Sequence, residues 1–287
     1  MNNLYKLPTT IVSMNARAYL QLSRPLNLVV ASIAVILAAA LTHELSFDLV
    51  YAVFSVILIT AGGNAINDYF DYDIDLINKP LRPLPAGTVT KAGAKSFAVI
   101  MMGAGSAVSV LINPWCALIA GSACVLLYWY ARTLKNAGFI GNLTIAGLTG
   151  MAIVYGGLSV AGLESIQYAA LFAALINLSR EMVKDIEDYK GDRAGGARTL
   201  AITRGIPTAS RLSTIPLLVL VAITPLPYRA GLYNIYYLVL ITMADVVLCW
   251  CCMRLIRSPS IEQAKTVKSV LKAVMLLGMA ALYIGMY

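Results

Sequence analysis

Long stretches without charged residues constrain the fold of this chain more than any other feature of its sequence. Lipid offers no hydrogen-bonding partner to the backbone, so an apolar run of about 20 residues is stable there as a helix. Of the 287 residues, 59% are hydrophobic and only 13% are charged, and the mean hydropathy is +0.76. A soluble domain has about 25% charged residues. The chain is therefore predicted to be an all-α integral membrane protein that forms one polytopic domain over residues 1–287.

The positions of these stretches predict a bundle of nine transmembrane helices. Runs free of Asp, Glu, Lys and Arg cover residues 25–42, 49–67, 96–131, 136–163, 165–179, 212–228, 230–244 and 273–287. The third run is interrupted by Asn113 and Pro114 and counts as two helices, and the seventh continues past Asp245 to Met253.

The positive charges indicate how these helices are oriented. With nine spans and a cytoplasmic N-terminus, 21 of the 22 Lys and Arg residues fall in cytoplasmic segments, and only Arg229 falls outside. The C-terminus is then predicted to lie outside. The net charge of +8 follows from this orientation and from an anionic substrate, and without a basic and aromatic groove motif it gives no reason to invoke nucleic acid.

Two acidic motifs end apolar segments on the predicted cytoplasmic side. Acidic motif 1 is NDYFDYDID at residues 67–75, and acidic motif 2 is residues 185–192 of KDIEDYKGD. Their candidate ligands are Asn67, Asp68, Asp71 and Asp75 in motif 1, and Asp185, Asp188 and Asp192 in motif 2. Steps of three and four residues place such groups on one face of a helix. Carboxylates this close repel one another at a membrane edge, so we predict a divalent cation between them.

Each acidic motif is followed by a loop and then by a cation, which gives the chain a faint internal repeat. Arg82 comes seven residues after Asp75, and Arg198 comes six residues after Asp192. Two such halves that face each other would build one site from two half-sites. A diphosphate bridged to carboxylates by Mg²⁺ fits this combination of hard oxygen ligands and cations. The loop cations available to hold it are Arg82, Lys135, Lys184 and Arg198.

These motifs resemble those of the UbiA-type intramembrane prenyltransferases. NDYFDYDID matches the NDxxDxxxD motif of that family, KDIEDYKGD matches its second, DxxxD-containing motif, and the resemblance covers nearly the whole chain. It implies a nine-helix fold of two pseudo-repeated halves and Mg²⁺ as cofactor. The implied metal ligands are Asn67, Asp71, Asp188 and Asp192, with Asp68, Asp75 and Asp185 as further ligands or their supports, and the six aspartates are the candidate catalytic residues.

The candidate substrate-binding residues lie around these motifs. Those expected to hold the diphosphate are Arg24, Arg82, Arg132, Lys135, Lys184 and Arg198. Asn177 and Glu181 extend the face of motif 2 along its helix, so they either contact the acceptor or form a hydrogen-bonded pair between helices.

Within the family, residues 67–87 and 180–200 look most like the enzymes that add the second isoprenoid chain of archaeal-type ether lipids. This likeness implies transfer of a geranylgeranyl group from geranylgeranyl diphosphate to the hydroxyl of geranylgeranylglyceryl phosphate, a lipid-like acceptor that bears a phosphate, among membrane lipids. Aromatic-acceptor enzymes of quinone synthesis and chlorophyll synthases are alternatives within the family. A cation or phosphate transporter is the alternative from another class. The predicted outside loops carry too few charged residues for a transport exit: Glu44, Asp48, Glu164 and Arg229.

The charge distribution generates a labelling prediction. In a variant without native cysteines, a cysteine at position 113 or 164 should react with an impermeant maleimide added outside sealed cells. A cysteine at position 194 should react only after the membrane is opened, because it follows motif 2 on the predicted cytoplasmic side. Labelling of position 194 from outside would contradict a cytoplasmic site.

Overall fold

The computed structural model describes residues 16–42, 44, 46–162 and 166–287, and within them the chain is helical with no β-strand. The first half contains α1 (Ala16–Ser23), α2 (Pro25–Ala40), α3 (Asp48–Phe70), α4 (Tyr72–Asn78), α5 (Lys91–Val110), α6 (Pro114–Arg132), a 3₁₀ turn (Leu134–Asn136) and α7 (Phe139–Leu158). The second contains α8 (Ile166–Glu187), α9 (Tyr189–Ala194), α10 (Leu200–Arg204), α11 (Ile206–Ile223), α12 (Leu226–Arg229), α13 (Ile235–Arg257) and α14 (Ile261–Ile284). Glu164, one of the charged residues of the predicted outside loops, lies outside the described residues.

The predicted all-helical membrane fold is confirmed. Among the described residues, seven helical segments are long and apolar enough to cross a membrane: α3, α5, α6, α7, α11 with α12, α13 and α14. The pair α1 and α2, which meet at 51°, would make an eighth span. The remaining predicted span is α8, which is 22 residues long but carries Arg180, Glu181 and Lys184 in its second half. The count of nine spans therefore stays a prediction that depends on α8.

Several helices extend beyond the charge-free runs that predicted them. The last helix begins at Ile261, whereas the charge-free run begins at residue 273. Ala264 and Leu271 are buried on one side of this extension, while Lys265 and Lys272 are exposed on the other. An amphipathic helix of this kind continues through charged residues as long as one face packs.

The buried side chains form one large cluster around α8 and two smaller clusters around α3, and the large cluster also includes residues of α2 and α7. One cluster joins α8 to α11, α13 and α14 through residues such as Leu217, Leu248 and Leu271. Two further clusters join α3 to α5 and α6 through residues such as Ala65 and Ala120. The helices that carry the two acidic motifs, α3 and α8, thus each have their own packed surroundings.

Helices α3 and α5 pack closely because a glycine removes the side chain between them. A Cβ atom on Gly105 would lie 2.9 Å from the carbonyl oxygen of Ser55 and 2.7 Å from Cγ1 of Ile59. The Ser55 hydroxyl donates to the Gly105 carbonyl at 2.9 Å and lies 2.8 Å from the Ser109 hydroxyl. Close backbone approach and interhelical hydrogen bonds of this type hold helices together in lipid.

We expect Gly105→Ala to destabilise the protein by about 1–3 kcal/mol, because the added methyl group must push α3 away from α5. Gly103→Ala is the matched control: nothing lies within 4 Å of its added Cβ, so stability should stay the same or rise slightly. Thermal unfolding in detergent measures both. Equal melting temperatures for the two variants would contradict the close packing.

Candidate active site

Both acidic motifs contain the same break in the helix. Helix α3 ends at Phe70 and α4 begins at Tyr72, with Asp71 between them at φ −83° and ψ 0°. Helix α8 ends at Glu187 and α9 begins at Tyr189, with Asp188 between them at φ −81° and ψ 4°. The spacing had predicted two unbroken helical faces. Asp is unfavourable inside a helix and common at its start, which accounts for the break at the middle aspartate of each motif.

The break leaves the two middle carboxylates available for binding. The backbone N–H of Asp71 still donates to the carbonyl oxygen of Asn67 at 2.9 Å, and the N–H of Asp188 donates to the carbonyl oxygen of Lys184 at 2.9 Å. The acidic faces on either side of each break therefore stay aligned. Neither aspartate uses its side chain to cap the helix that follows it. Each motif therefore presents acidic groups before, at and after an equivalent bend.

Two arginines surround the carboxylates of motif 1. The side chain of Asp68 is only 3% exposed and accepts hydrogen bonds from Arg24 and, at 3.1 Å, from Arg82. Arg82 also donates to Asp75 at 2.6 Å, which places one guanidinium group between two carboxylates. A buried carboxylate is strongly destabilising unless it is paired in this way. The loop after α4 therefore places Arg82 at motif 1.

Lys135 brings a loop of the first half to the centre of the site. Its ammonium group lies 2.5 Å from Asp71, and its charge also acts on Asp192 of motif 2. The same loop contacts the segment after α9, because a Cβ on Gly138 would lie 2.5 Å from the carbonyl oxygen of Arg198. Gly138 also has a φ of +63°, which favours glycine. The α6–α7 loop therefore connects the two half-sites.

Motif 2 carries fewer cations than motif 1. Asp185 accepts a hydrogen bond from the side-chain amide of Asn142 in α7 at 2.9 Å. In the described part of the chain, Asp188 and Asp192 form no ion pair. Burial raises the pKa of the Asp192 carboxyl, and the neighbouring Asp188 carboxylate raises it further. Both features indicate a place where a cation would be stabilised.

Two further acidic residues lie within or beside the motifs but are not among the candidate ligands. Asp73 is exposed, and Glu187 forms an ion pair with Lys268 of α14. This pair places the start of α14 on the same side of the bundle as the end of α8.

Above Asp185, the polar face of α8 continues with a charged triad. Glu181 accepts from Arg180 at 2.9 Å and from Lys184 at 3.0 Å, so one carboxylate holds two cations. Asn177 donates to Thr149 of α7 at 2.7 Å. Asn177 thus makes the interhelical hydrogen bond that the sequence left as one of two possibilities.

The predicted diphosphate cations fall into two groups in the structure. Arg24, Arg82 and Lys135 contact aspartates of motif 1. Lys184 contacts Glu181 instead, and the side chains of Arg132 and Arg198 are exposed and form no ion pair among the described residues.

Sequence reasoning missed the amides that support the site. Asn142 holds Asp185, and Asn64 donates to the backbone next to Arg24. Tyr130 of α6 was also missed. Its hydroxyl interacts electrostatically with Lys184, Asp185 and Asp71. The available signal was a single amide in an apolar run, since such a group must find a partner in lipid.

The residues present fit a divalent cation. The side-chain carbonyl oxygen of Asn67 is buried without a hydrogen-bond partner among the described residues, and such an oxygen is a ligand for a hard cation. Within the described ranges, no three Asp, Glu, His or Cys side chains are placed to hold a metal by themselves. Mg²⁺ does not require such a cage, because it binds through one or two carboxylates together with water and substrate phosphate.

A helical membrane bundle with two acidic motifs at equivalent bends defines the class of an intramembrane prenyltransferase. The model of the UbiA prenyltransferase family matches residues 27–282, so the chain belongs to this family.

Individual relatives narrow the comparison. The chain is 36% identical over 275 residues to the digeranylgeranylglyceryl phosphate synthase of Thermococcus sibiricus, a match that covers 95% of this chain and 98% of the relative. It is similar in structure to a solved digeranylgeranylglyceryl phosphate synthase, with a TM-score of 0.84, 33% identity and coverage of 94% of this chain and 98% of the other. A UbiA homologue from Archaeoglobus fulgidus bound to GPP and Mg²⁺ has the same fold, with a TM-score of 0.65, 16% identity and coverage of 94% and 99%. The chain is therefore a multi-pass membrane prenyltransferase.

Proposed function

We propose that this protein transfers a geranylgeranyl group from geranylgeranyl diphosphate to the free hydroxyl of geranylgeranylglyceryl phosphate, a step of archaeal ether-lipid synthesis. The observation that carries the proposal is the pair of acidic motifs, bent at Asp71 and Asp188 and connected by the Lys135 loop. Relatives named for digeranylgeranylglyceryl phosphate synthesis match nearly the whole chain and support this choice of substrates.

The donor diphosphate binds between the two motifs. Asn67, Asp71, Asp188 and Asp192 would hold Mg²⁺, with Asp68, Asp75 and Asp185 as further ligands or their supports. When bound, Mg²⁺ neutralises charge on the diphosphate and stabilises it as a leaving group. Arg24, Arg82 and Lys135 contact carboxylates of motif 1 and would donate to phosphate oxygens when the donor enters.

Chemistry follows from this arrangement. The bond between C1 of the prenyl group and the diphosphate oxygen breaks, and the electron pair leaves with the diphosphate. The acceptor hydroxyl oxygen attacks the allylic cation and forms the ether bond, and the hydroxyl proton leaves with the diphosphate product. The apolar bundle below the motifs excludes water, which would otherwise react with the cation.

The acceptor phosphate requires cations that the donor does not occupy. The segment after motif 2 offers Lys190, Arg193, Arg198 and Arg204, all of them exposed. Deeper on α8, Arg180 and Lys184 share the single carboxylate of Glu181, which leaves one net positive charge. We assign the acceptor headgroup to this side of the site. A small aromatic acid would need only one such partner.

The site lies on the cytoplasmic face in this proposal, with the N-terminus inside and the C-terminus outside. The split of 21 cytoplasmic cations to one outside supports this orientation.

The metal assignment predicts the behaviour of three conservative variants. Asp71→Asn and Asp188→Asn should each lower Mg²⁺-dependent turnover at least about a hundredfold while the protein stays folded, because each removes a ligand charge from one half-site. Asp73→Asn is the matched control: it lies in motif 1 but is exposed, and turnover should change less than about twofold. Prenyl transfer in detergent across a Mg²⁺ titration measures all three. Unchanged turnover in either ligand variant, or full activity in excess chelator, would contradict the assignment.

The acceptor assignment predicts an order of substrates. With geranylgeranyl diphosphate and Mg²⁺, the purified protein should prenylate geranylgeranylglyceryl phosphate and leave 4-hydroxybenzoate and 1,4-dihydroxynaphthoate largely unmodified. Removal of the acceptor phosphate should lower kcat/KM by about tenfold to a hundredfold, because the cations assigned to the headgroup lose their charged partner. Shortening the acceptor tail by one isoprene unit should lower kcat/KM less, since the tail enters the protein from lipid rather than from water.

A side-by-side assay of these acceptors decides between the branches of the family. Efficient turnover of an aromatic acceptor, without turnover of the glyceryl phosphate, would overturn the acceptor assignment. The fold and the proposed metal chemistry would remain.

A further inference from the structure

The first membrane helix is interrupted at Arg24. This residue has φ 54° and ψ 76°, in the left-handed region that residues with a Cβ atom rarely adopt. In a continuous helix, the Ser23 carbonyl would accept from the backbone N–H of Asn27. Here the N–H of Asn27 donates to the carbonyl oxygen of Arg24 at 2.8 Å instead. The interruption therefore leaves the Ser23 carbonyl oxygen in need of another donor.

The side chain of Asn64 supplies that donor from another helix. Its amide nitrogen donates to the Ser23 carbonyl at 2.8 Å, and its oxygen accepts from the side chain of Asn27 at 3.2 Å. A backbone carbonyl can only accept, so these two bonds fix which end of the amide faces Ser23. Asn64 is 8% exposed, and both of its polar atoms have partners.

Asn64 also lies one helical turn before Asp68 on α3. The same helix thus holds the backbone of the interruption and presents the carboxylate that Arg24 contacts. Because Asn64 fixes the residue before Arg24, it determines the point from which the Arg24 side chain extends.

We propose that Asn64 is a positioning residue for Arg24: by binding the Ser23 carbonyl it directs the Arg24 guanidinium toward motif 1, where the donor diphosphate binds. The proposal rests on the proposed function in one respect, the contact of Arg24 with the donor. In this role Asn64 contacts Ser23 and Asn27 rather than the substrate. It acts on Arg24 through its hydrogen bond to the Ser23 carbonyl, and it lies one helical turn from Asp68, the carboxylate that Arg24 contacts.

A purely structural role makes a different prediction, and α3 offers a matched comparison. Ser55 lies on the same helix, is fully buried and makes an interhelical hydrogen bond to a backbone carbonyl, that of Gly105. Ser55 precedes Asn64 by nine residues, and its hydrogen bond to Gly105 does not involve Arg24. Ser55→Ala should lower the melting temperature and leave the KM for the donor unchanged.

The test compares Asn64→Ala, Arg24→Ala and the double variant. We measure KM and kcat for geranylgeranyl diphosphate, the affinity for geranylgeranyl thiodiphosphate in Mg²⁺, and the melting temperature. Asn64→Ala should raise the KM and weaken analogue binding about tenfold, the effect expected for one lost buried hydrogen bond. It should change kcat less than about threefold. In the Arg24→Ala background, the same substitution should change donor affinity less than about twofold, because its target is already absent.

Three results would overturn the proposal. An equal loss of donor affinity in both backgrounds would show that Asn64 acts independently of Arg24. An unchanged KM with a lowered melting temperature, as for Ser55→Ala, would show a structural role only. Unaltered donor affinity in Arg24→Ala alone would remove Arg24 from the donor site. A wrong acceptor leaves the analogue-binding comparison intact, so the two failures are distinguishable. If Asn64→Ala does not fold, Asn27→Ala loosens only the orientation of the Asn64 amide and should weaken donor binding in the same direction.

Discussion

Carboxylates at the ends of membrane helices need cations close by, and this requirement organises the end of the bundle that carries the two acidic motifs. Asp68 is the most buried of them, and it lies between Arg24 from the first span and Arg82 from the loop after α4. Without its arginine partners, Asp68 would be a buried charge left unpaired, which costs about 3–5 kcal/mol. The loops that carry the cations are therefore fixed by the same charges that we propose to bind the donor. In that proposal, stability and donor recognition depend on one set of side chains.

The two half-sites are built alike but are charged differently. Motif 1 is surrounded by Arg24, Arg82 and Lys135, whereas Asp188 and Asp192 of motif 2 have no ion pair among the described residues. A cation that enters between the motifs gains most from the unpaired carboxylates of motif 2. A diphosphate gains most from the arginines of motif 1. Under the proposed function, this asymmetry would give an incoming metal–diphosphate complex a preferred orientation, although the backbone angles at Asp71 and Asp188 are nearly identical.

The sequence predicted most of the fold and the location of the site, because both follow from charge placement. Apolar runs located the helices, and acidic residues at helical spacing located motif 1 and motif 2. The helix breaks at Asp71 and Asp188 could not be predicted from spacing, since the hydrogen bonds across each break keep helical periodicity. The early start of α14 was missed because charge-free runs ignore amphipathic extensions. Arg132 and Arg198 carry the right charge but are exposed, and their direction depends on loop conformation that no local pattern specifies.

The contact between Gly138 and the carbonyl of Arg198 has a consequence for how proteins of this kind can diverge. Two loops that meet through their backbones, with no room for a single methyl group, cannot lengthen independently. Insertions and deletions should therefore be rare in these two loops. They should be tolerated better in the connections at the opposite ends of the helices. Substrate range in such a scaffold would then change by exchange of side chains around a loop frame of constant length.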